Sequence, residues 1–189
     1  MAREAPGAPY SHGVQEWRRT PGAGRYAHPE CERRFVVRGS FPDVAAPWLI
    51  EDRYIDGTSM RLRRLTADGE TVWKLTQKVR MTPSDPTSVS ITNLYLTSHE
   101  YDVLATLPAA VLRKTRHLCP VDGTRFVVDV FSGVLAGLQL AEVEVADLTA
   151  PLNVPAWIGH EVTRDDRYSG GRLARMSVTE VASLLAHTV

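Results

Sequence analysis

Glu30-Cys31-Glu32-Arg33-Arg34-Phe35-Val36-Val37 changes character at alternate positions. Successive side chains of an extended strand point to opposite faces, so Glu30, Glu32 and Arg34 share one face and Cys31 and Phe35 lie on the other. The same sorting applies along the chain. Arg61 and Arg63 share a face with Leu62 opposite, and Lys74, Thr76 and Lys78 share one opposite Trp73 and Leu75. Lys114 and Arg116 lie together. Arg125 and Asp129 lie opposite Phe126, Val128 and Val130, and Glu142 and Glu144 lie opposite Ala141, Val143 and Val145. The period of two predicts strands over 29–38, 50–55, 59–66, 71–79, 88–96, 111–118, 124–132 and 137–146. Turn residues divide them at Asp56-Gly57, Ala67-Asp68-Gly69, Pro83 to Pro86 and Val121-Asp122-Gly123. Two capping boxes predict helices. Thr97-Ser98-His99-Glu100 opens a short one ending near Leu107-Pro108, and Ser177-Val178-Thr179-Glu180 opens one at the C-terminus with Val181, Leu184 and Leu185 on one face.

An open antiparallel sheet with one face in water also alternates polar and apolar residues. Solvated faces, however, usually mix Ser, Thr, Asn, Gln, Lys and Glu, whereas these strands repeatedly present same-sign pairs two residues apart. Such pairs repel and need a reason. Arginines and lysines from several strands, converging on one cavity, make a clamp for a polyanion, with arginine forking onto phosphate oxygens. Carboxylate pairs supply hard oxygen ligands for Mg²⁺ or Mn²⁺. The two sets meet only if the sheet closes. The expectation is an α+β fold, a closed eight-stranded antiparallel barrel forming a tunnel, with a few helices packed outside.

Composition fits that expectation. The 189 residues suit one domain, read as a flexible arm over 1–28 followed by the tunnel domain over 29–189. Within the arm, Gly22-Ala23-Gly24-Arg25 echoes a glycine-rich phosphate loop, but no strand precedes it and no GK[ST] follows, so it reads as loop. Twenty-two basic and twenty-two acidic residues cancel, which argues against a nucleic-acid partner. Cys31 and Cys119 form no CxxC, the histidines form no HxxxH or HxH, and two thiols at this spacing suit a reducing compartment. No apolar run approaches the roughly 20 residues that cross a bilayer, and Met1 to Gly13 lacks the apolar stretch of a signal peptide. The expected setting is cytoplasmic, with no membrane partner, as a monomer or homodimer.

The motifs, taken in order, resemble those of the CYTH domain, the triphosphate tunnel metalloenzymes. Glu30 to Val37 is similar to the ExExK signature, Met60-Arg61-Leu62-Arg63 to the RxR strand, and Leu75-Thr76-Gln77-Lys78 to the strand ending in lysine. Lys114-Thr115-Arg116 matches KTR, Val128-Asp129-Val130-Phe131-Ser132-Gly133 matches DVFxG, and Leu140-Ala141-Glu142-Val143-Glu144 matches AExE. Gly159-His160-Glu161-Val162-Thr163 with Arg167-Tyr168 matches the late G-x-EVT…RY, so the resemblance spans about residues 30–173. It implies hydrolysis of a linear triphosphate, inorganic or organic, with Mg²⁺ or Mn²⁺. An adenylate cyclase of the same fold and a non-catalytic polyphosphate binder are the alternatives.

Carried over by position, the resemblance makes Glu30, Glu32, Asp129, Glu142 and Glu144 candidate metal ligands. Arg34, Arg61, Arg63, Lys74, Lys78, Lys114, Arg116 and Arg125 become phosphate contacts, with Glu32, Lys114 and Arg63 the catalytic set. Each clamp residue has an alternative as an interior ion pair that only holds the barrel, and Arg125 and Asp129 could pair with each other. Glu161 would cap the mouth or join the acids. Three positions depart from the pattern: Arg34 stands where lysine is usual, and Ile91 and Asn93 stand where hydrolytic relatives commonly place acids.

Overall fold

The computed structural model describes residues 21–42, 45–82 and 85–186. Ten strands form one antiparallel sheet: β1 (His28–Glu30), β2 (Glu32–Val37), β3 (Trp48–Ile55), β4 (Met60–Ala67), β5 (Glu70–Thr82), β6 (Asp85–Leu96), β7 (Ala109–Val121), β8 (Thr124–Phe131), β9 (Gln139–Glu144) and β10 (Ile158–Glu161). Their order is β1-β6-β5-β4-β3-β7-β8-β9-β2-β10. The expected eight-stranded closed barrel is corrected: hydrogen bonding among the described residues does not close the sheet, whose order ends at β1 and β10, and two strand expectations change. Ile158–Glu161 adds a strand that its short, glycine-containing sequence did not announce, and the expected strand over 29–38 is two strands broken at Cys31. The break has a consequence for the architecture. Its first part pairs with β6 and its second with β9, so one covalent segment joins opposite sides of the sheet while β1 and β10 remain its edges. The expected strand over 137–146 is also shorter, because a 3₁₀ turn over Gly133–Leu135 precedes it.

The hairpins follow their turn chemistry. Asp68-Gly69 and Asp122-Gly123 both adopt positive φ at their two central positions (51° and 80°; 47° and 77°), the geometry whose twist matches paired strands. Glycine meets it freely and aspartate at modest expense. Of the expected turn at Pro83 to Pro86, residues 83 and 84 lie outside the described residues, as do residues 1–20 of the expected arm. The remainder of that arm is built in: Ser90 donates from Oγ to the Gly22 carbonyl at 2.8 Å, and His28 enters β1.

Among the described residues three helices accompany the sheet: α1 (Ser98–Leu104), α2 (Gly170–Leu173) and α3 (Val178–Ala186). The expectation that helices pack outside is corrected for α2 and α3, whose apolar side chains meet the inner face. Both capping boxes form. The Thr97 hydroxyl accepts from the Glu100 amide at 3.3 Å while the Glu100 carboxylate accepts from the Thr97 amide at 2.7 Å; Ser177 and Glu180 repeat the exchange. α1 ends at Leu104, and Arg53 fastens its end by donating to the Ala105 carbonyl at 2.8 Å. Among the described residues no helix is long and apolar enough to cross a membrane.

Two apolar clusters position the site. On the outer face of β2, β7, β8 and β9, Phe35, Cys119, Phe126, Val128, Ala141 and Val143 pack beneath Phe41, Leu152 and Trp157. The second cluster joins the inner face to the C-terminal segment: Val36, Leu112, Phe131 and Leu140 meet Tyr168, Leu173, Val181 and Leu184. Each such burial contributes roughly 1.5–3 kcal/mol. The α3 side chains expected on one face, Val181 and Leu184 with Leu185 alongside, therefore seal the sheet against its own interior residues.

Candidate active site

The parity argument places the charged faces correctly. A cavity of about 460 Å³ is lined by Glu30, Glu32 and Arg34 from the broken first strand, Arg61 and Arg63 from β4, Lys74, Lys78 and Arg80 from β5, Lys114 and Arg116 from β7, and Glu142 from β9. With Arg175, nine basic side chains face three carboxylates. Lateral register explains the convergence: Arg63 stands opposite Lys74, Arg61 opposite Thr76, and Glu142 opposite Arg34.

The charges are held by a network. Arg34 donates to Glu32 and, through Nε at 2.9 Å, to Glu142; Arg116 donates from Nη2 to the other Glu142 oxygen at 2.6 Å. Burial would raise the Glu142 carboxyl, but Arg34 and Arg116 outweigh it and hold the group well below the usual carboxylate range. Glu32 behaves oppositely. Burial and the neighbouring Glu142 push it up despite Arg34. Asp129 is without solvent exposure and takes Lys114 and Arg116 together, the latter through two contacts of 2.7 Å. Its oxygens face those cations, and it is not among the cavity-lining residues.

Several expected residues sit elsewhere. Arg125 is exposed near the β7–β8 turn, opposite Pro120, and does not line the cavity. Glu144 stands opposite Glu32 in register but is exposed beyond the lining. Both lie at strand ends, where a shared face no longer means a shared interior. Glu161 faces outward and grips Arg33 through Nε at 3.1 Å and Nη2 at 2.5 Å, clasping β10 to β2. Ile91 and Asn93 do line the cavity, whereas Tyr95 on the same face is 76% exposed.

Sequence reasoning missed Asp52 and Tyr54. Glu51 and Arg53 put opposite signs on one face of β3, and Asp52 stands alone between Ile50 and Tyr54 on the other, so parity gave no same-sign pair there. Asp52 has no exposure and receives the Arg63 fork, Nε at 2.6 Å and Nη2 at 2.7 Å. Burial would raise its carboxyl, but Arg61 and Arg63 hold it far below the ordinary range. Tyr54, half-buried beside Arg61, has its phenol pushed up to about 12 by desolvation and by Asp52. Its hydroxyl lies against Gly170, where a Cβ would sit 1.9 Å away; only glycine lets α2 close on the site. Lys74 is unusual. Among the described residues it is the cavity-lining cation with no ion pair, and burial together with Arg63 and Arg61 pushes it down to about 8.

Glu30 and Glu32 fit a hard divalent cation chemically: both are partly exposed carboxylates on the cavity lining, paired with Lys78 and Arg34 respectively. Among the described residues no three His, Cys, Asp or Glu form a ready-made ligand group. A magnesium-type ion does not need one: it is held by one or two carboxylates, with water and phosphate oxygens completing the shell.

No family model matches the sequence. The chain is 31% identical over 161 residues to an inorganic triphosphatase of Acetivibrio thermocellus, covering 77% of this chain and 93% of that protein. It is 42% identical over 66 residues to an inorganic triphosphatase of Nitrosomonas europaea, covering 33% of this chain and 44% of that one. A solved inorganic triphosphatase structure matches with a TM-score of 0.54 at 28% identity, over 78% of this chain and 95% of its own. With the charged cavity and its motif order in place, these likenesses are those of kin: the chain belongs to the family of the inorganic triphosphatases, the CYTH or triphosphate tunnel proteins.

Proposed function

We propose that the protein hydrolyses a linear triphosphate, with inorganic tripolyphosphate the preferred form, using Mg²⁺ or Mn²⁺. The carrying observation is the convergence of Arg34, Arg61, Arg63, Lys74, Lys78, Lys114 and Arg116 on one cavity, an excess of positive charge that only a polyanion would neutralise. The names of the curated relatives support the same substrate.

Glu30 and Glu32 would hold the metal, with Glu142 keeping Arg34 and Arg116 aimed at the phosphates. When bound, the metal supplies positive charge to the phosphate oxygens. The chain's own cations do the rest. Arg63, Lys114 and Arg116 are fixed by Asp52, Asp129 and Glu142, so they meet developing charge on the transferred phosphoryl group without reorganising. The aromatic side chains of the lining, Tyr54, Phe131 and Tyr168, pack with the apolar cluster of the C-terminal segment.

A second reading, tight binding with little turnover, is favoured by Ile91 and Asn93. These residues place no carboxylate on the β6 side of the cavity. Product analysis with tripolyphosphate and ATP, each with Mg²⁺ and with Mn²⁺, separates the readings. Phosphate release from tripolyphosphate is expected. Cyclic nucleotide, or binding without turnover, would overturn the hydrolase assignment.

A further inference from the structure

We propose that Asp52 is a positioning residue for the triphosphate site: from beneath the cavity it fixes the Arg63 guanidinium and sets how strongly the β4–β5 wall attracts an anion. The kinetic part rests on the triphosphatase reading; the rest does not.

Asp52 is entirely buried, so it touches neither substrate nor solvent and must act through other residues. Its place is set by register. Asp52 on β3 stands opposite Arg63 on β4, which stands opposite Lys74 on β5, making one row across three strands. The carboxylate engages Nε and Nη2 of Arg63, leaving Nη1 as the nitrogen without an assigned partner in that fork. Arg61 is treated differently. Its Nε lies 3.6 Å from Asp52 Oδ1, an ion pair too long for a hydrogen bond, and that nitrogen is buried with no hydrogen-bond partner among the described residues. Arg63 is locked by its fork, whereas Arg61 has a long ion pair to Asp52 and a hydrogen bond from Nη2 to Thr76 Oγ1 at 3.3 Å.

The surroundings give Asp52 its weight. The groups acting on this row are Arg61 and Arg63 from β4, Lys74 from β5, Lys114 from β7, Glu30 from β1 and Tyr54 from β3; β6 contributes Ile91 and Asn93. Across the cavity Asp129 grips Lys114 and Arg116 in the same way. Asp52 therefore does for the second cation pair what a motif residue does for the first, from a strand that carries no motif. It cancels one positive charge without occupying cavity space, and it presents Arg63 in a single orientation.

Asp52→Asn removes that charge and turns an amide donor toward a guanidinium. The wall becomes more positive while Arg63 loses its fork. Expected results are metal-free tripolyphosphate binding at least about threefold tighter by calorimetry, with kcat reduced at least about tenfold. A residue that merely supported the fold would not move affinity and turnover in opposite directions. Arg63→Lys keeps the charge but cannot fork, so the double variant should be no slower than the slower single variant. Affinity and kcat falling together, or single-variant losses that multiply in the double, would overturn the proposal. If Asp52→Asn does not fold, nitrogen-15 spectra of the parent protein decide. A solvent-protected arginine Nε–H that disappears in Arg63→Lys is expected, and its absence overturns the proposal. Failure of the hydrolase reading would instead appear as no phosphate release by the parent protein, leaving the calorimetric and spectral results to judge Asp52.

Discussion

The two walls of the cavity carry similar cations but treat them differently. On the β7–β8–β9–β2 wall, Lys114, Arg116 and Arg34 are each bonded to at least one carboxylate, from Asp129, Glu142 or Glu32. On the β3–β4–β5–β6 wall, Arg61 and Arg63 share the single Asp52, Lys74 has no ion pair among the described residues, and β6 offers Ile91 and Asn93. The first wall is largely neutralised and rigid. The second keeps an unsatisfied positive charge. A site that must both position and attract a polyanion can divide those tasks between its walls.

The sharpest contrast comes from deleting one charge on each side. Asp129→Ala strands Lys114 and Arg116 in a buried setting, and should lower stability by about 3–5 kcal/mol in urea unfolding. Lys74→Gln should leave the ligand-free protein as stable as the parent or more so, because it removes a like-charge contact with Arg61 and Arg63. Equal destabilisation by the two variants would erase the distinction between the walls.

Glu32 tests the metal side of the comparison. Glu32→Ala should cut turnover at least about a hundredfold, the scale lost with a major electrostatic element, while folding survives because the carboxyl is repelled by Glu142. Metal-dependent activity close to the parent's would remove Glu32 from the metal role. Glu142→Ala, by contrast, should cost both activity and stability, since its two oxygens hold Arg34 and Arg116.

Lys74 also predicts a pH dependence. Its amine is depressed in the fold to about 8 from 10.5, so the penalty of keeping it charged is fully present below pH 8 and fades as pH rises toward 10.5. The unfolded chain binds more protons across that interval, so this group makes ligand-free stability rise with pH there. Tripolyphosphate affinity should move the other way, falling several-fold as pH passes 8, with proton uptake on binding. Lys74→Gln should flatten both trends; calorimetry in buffers of different ionisation enthalpy would show whether it does.

The smallest expected change concerns β6. Ile91→Glu with Asn93→Glu brings carboxylates to the under-compensated wall, where a second cation could shield attacking and leaving oxygens. Turnover should rise a few-fold, and the variant should melt lower without metal and recover with Mg²⁺. Parent turnover already within the roughly 1–10³ s⁻¹ common for enzymes, with the double variant no faster, would mean that these acids are dispensable here.

The sequence by itself located every strand region except β10, though not the break at Cys31, and determined which residues share a face and which family the motifs resemble. Period-two alternation and Asp-Gly turns are local properties of the backbone. Hence Arg61 and Arg63, Lys74 and Lys78, and Lys114 and Arg116 could be assigned to common faces before any contact was known. What the tertiary structure decided was which face residues reach the interior, and which partner each charge takes. Arg125 and Glu144 follow the correct parity yet end up exposed, because parity fixes direction and not height along the strand. Asp129, a candidate metal ligand by motif, has both oxygens engaged by Lys114 and Arg116 in the fold. Asp52 was invisible because its significance lies in two cross-strand registers, with Arg63 and through it Lys74, and register depends on how distant strands pair. The closing of α2 over Tyr54 at Gly170 is likewise a meeting of residues 116 positions apart, which no local pattern records.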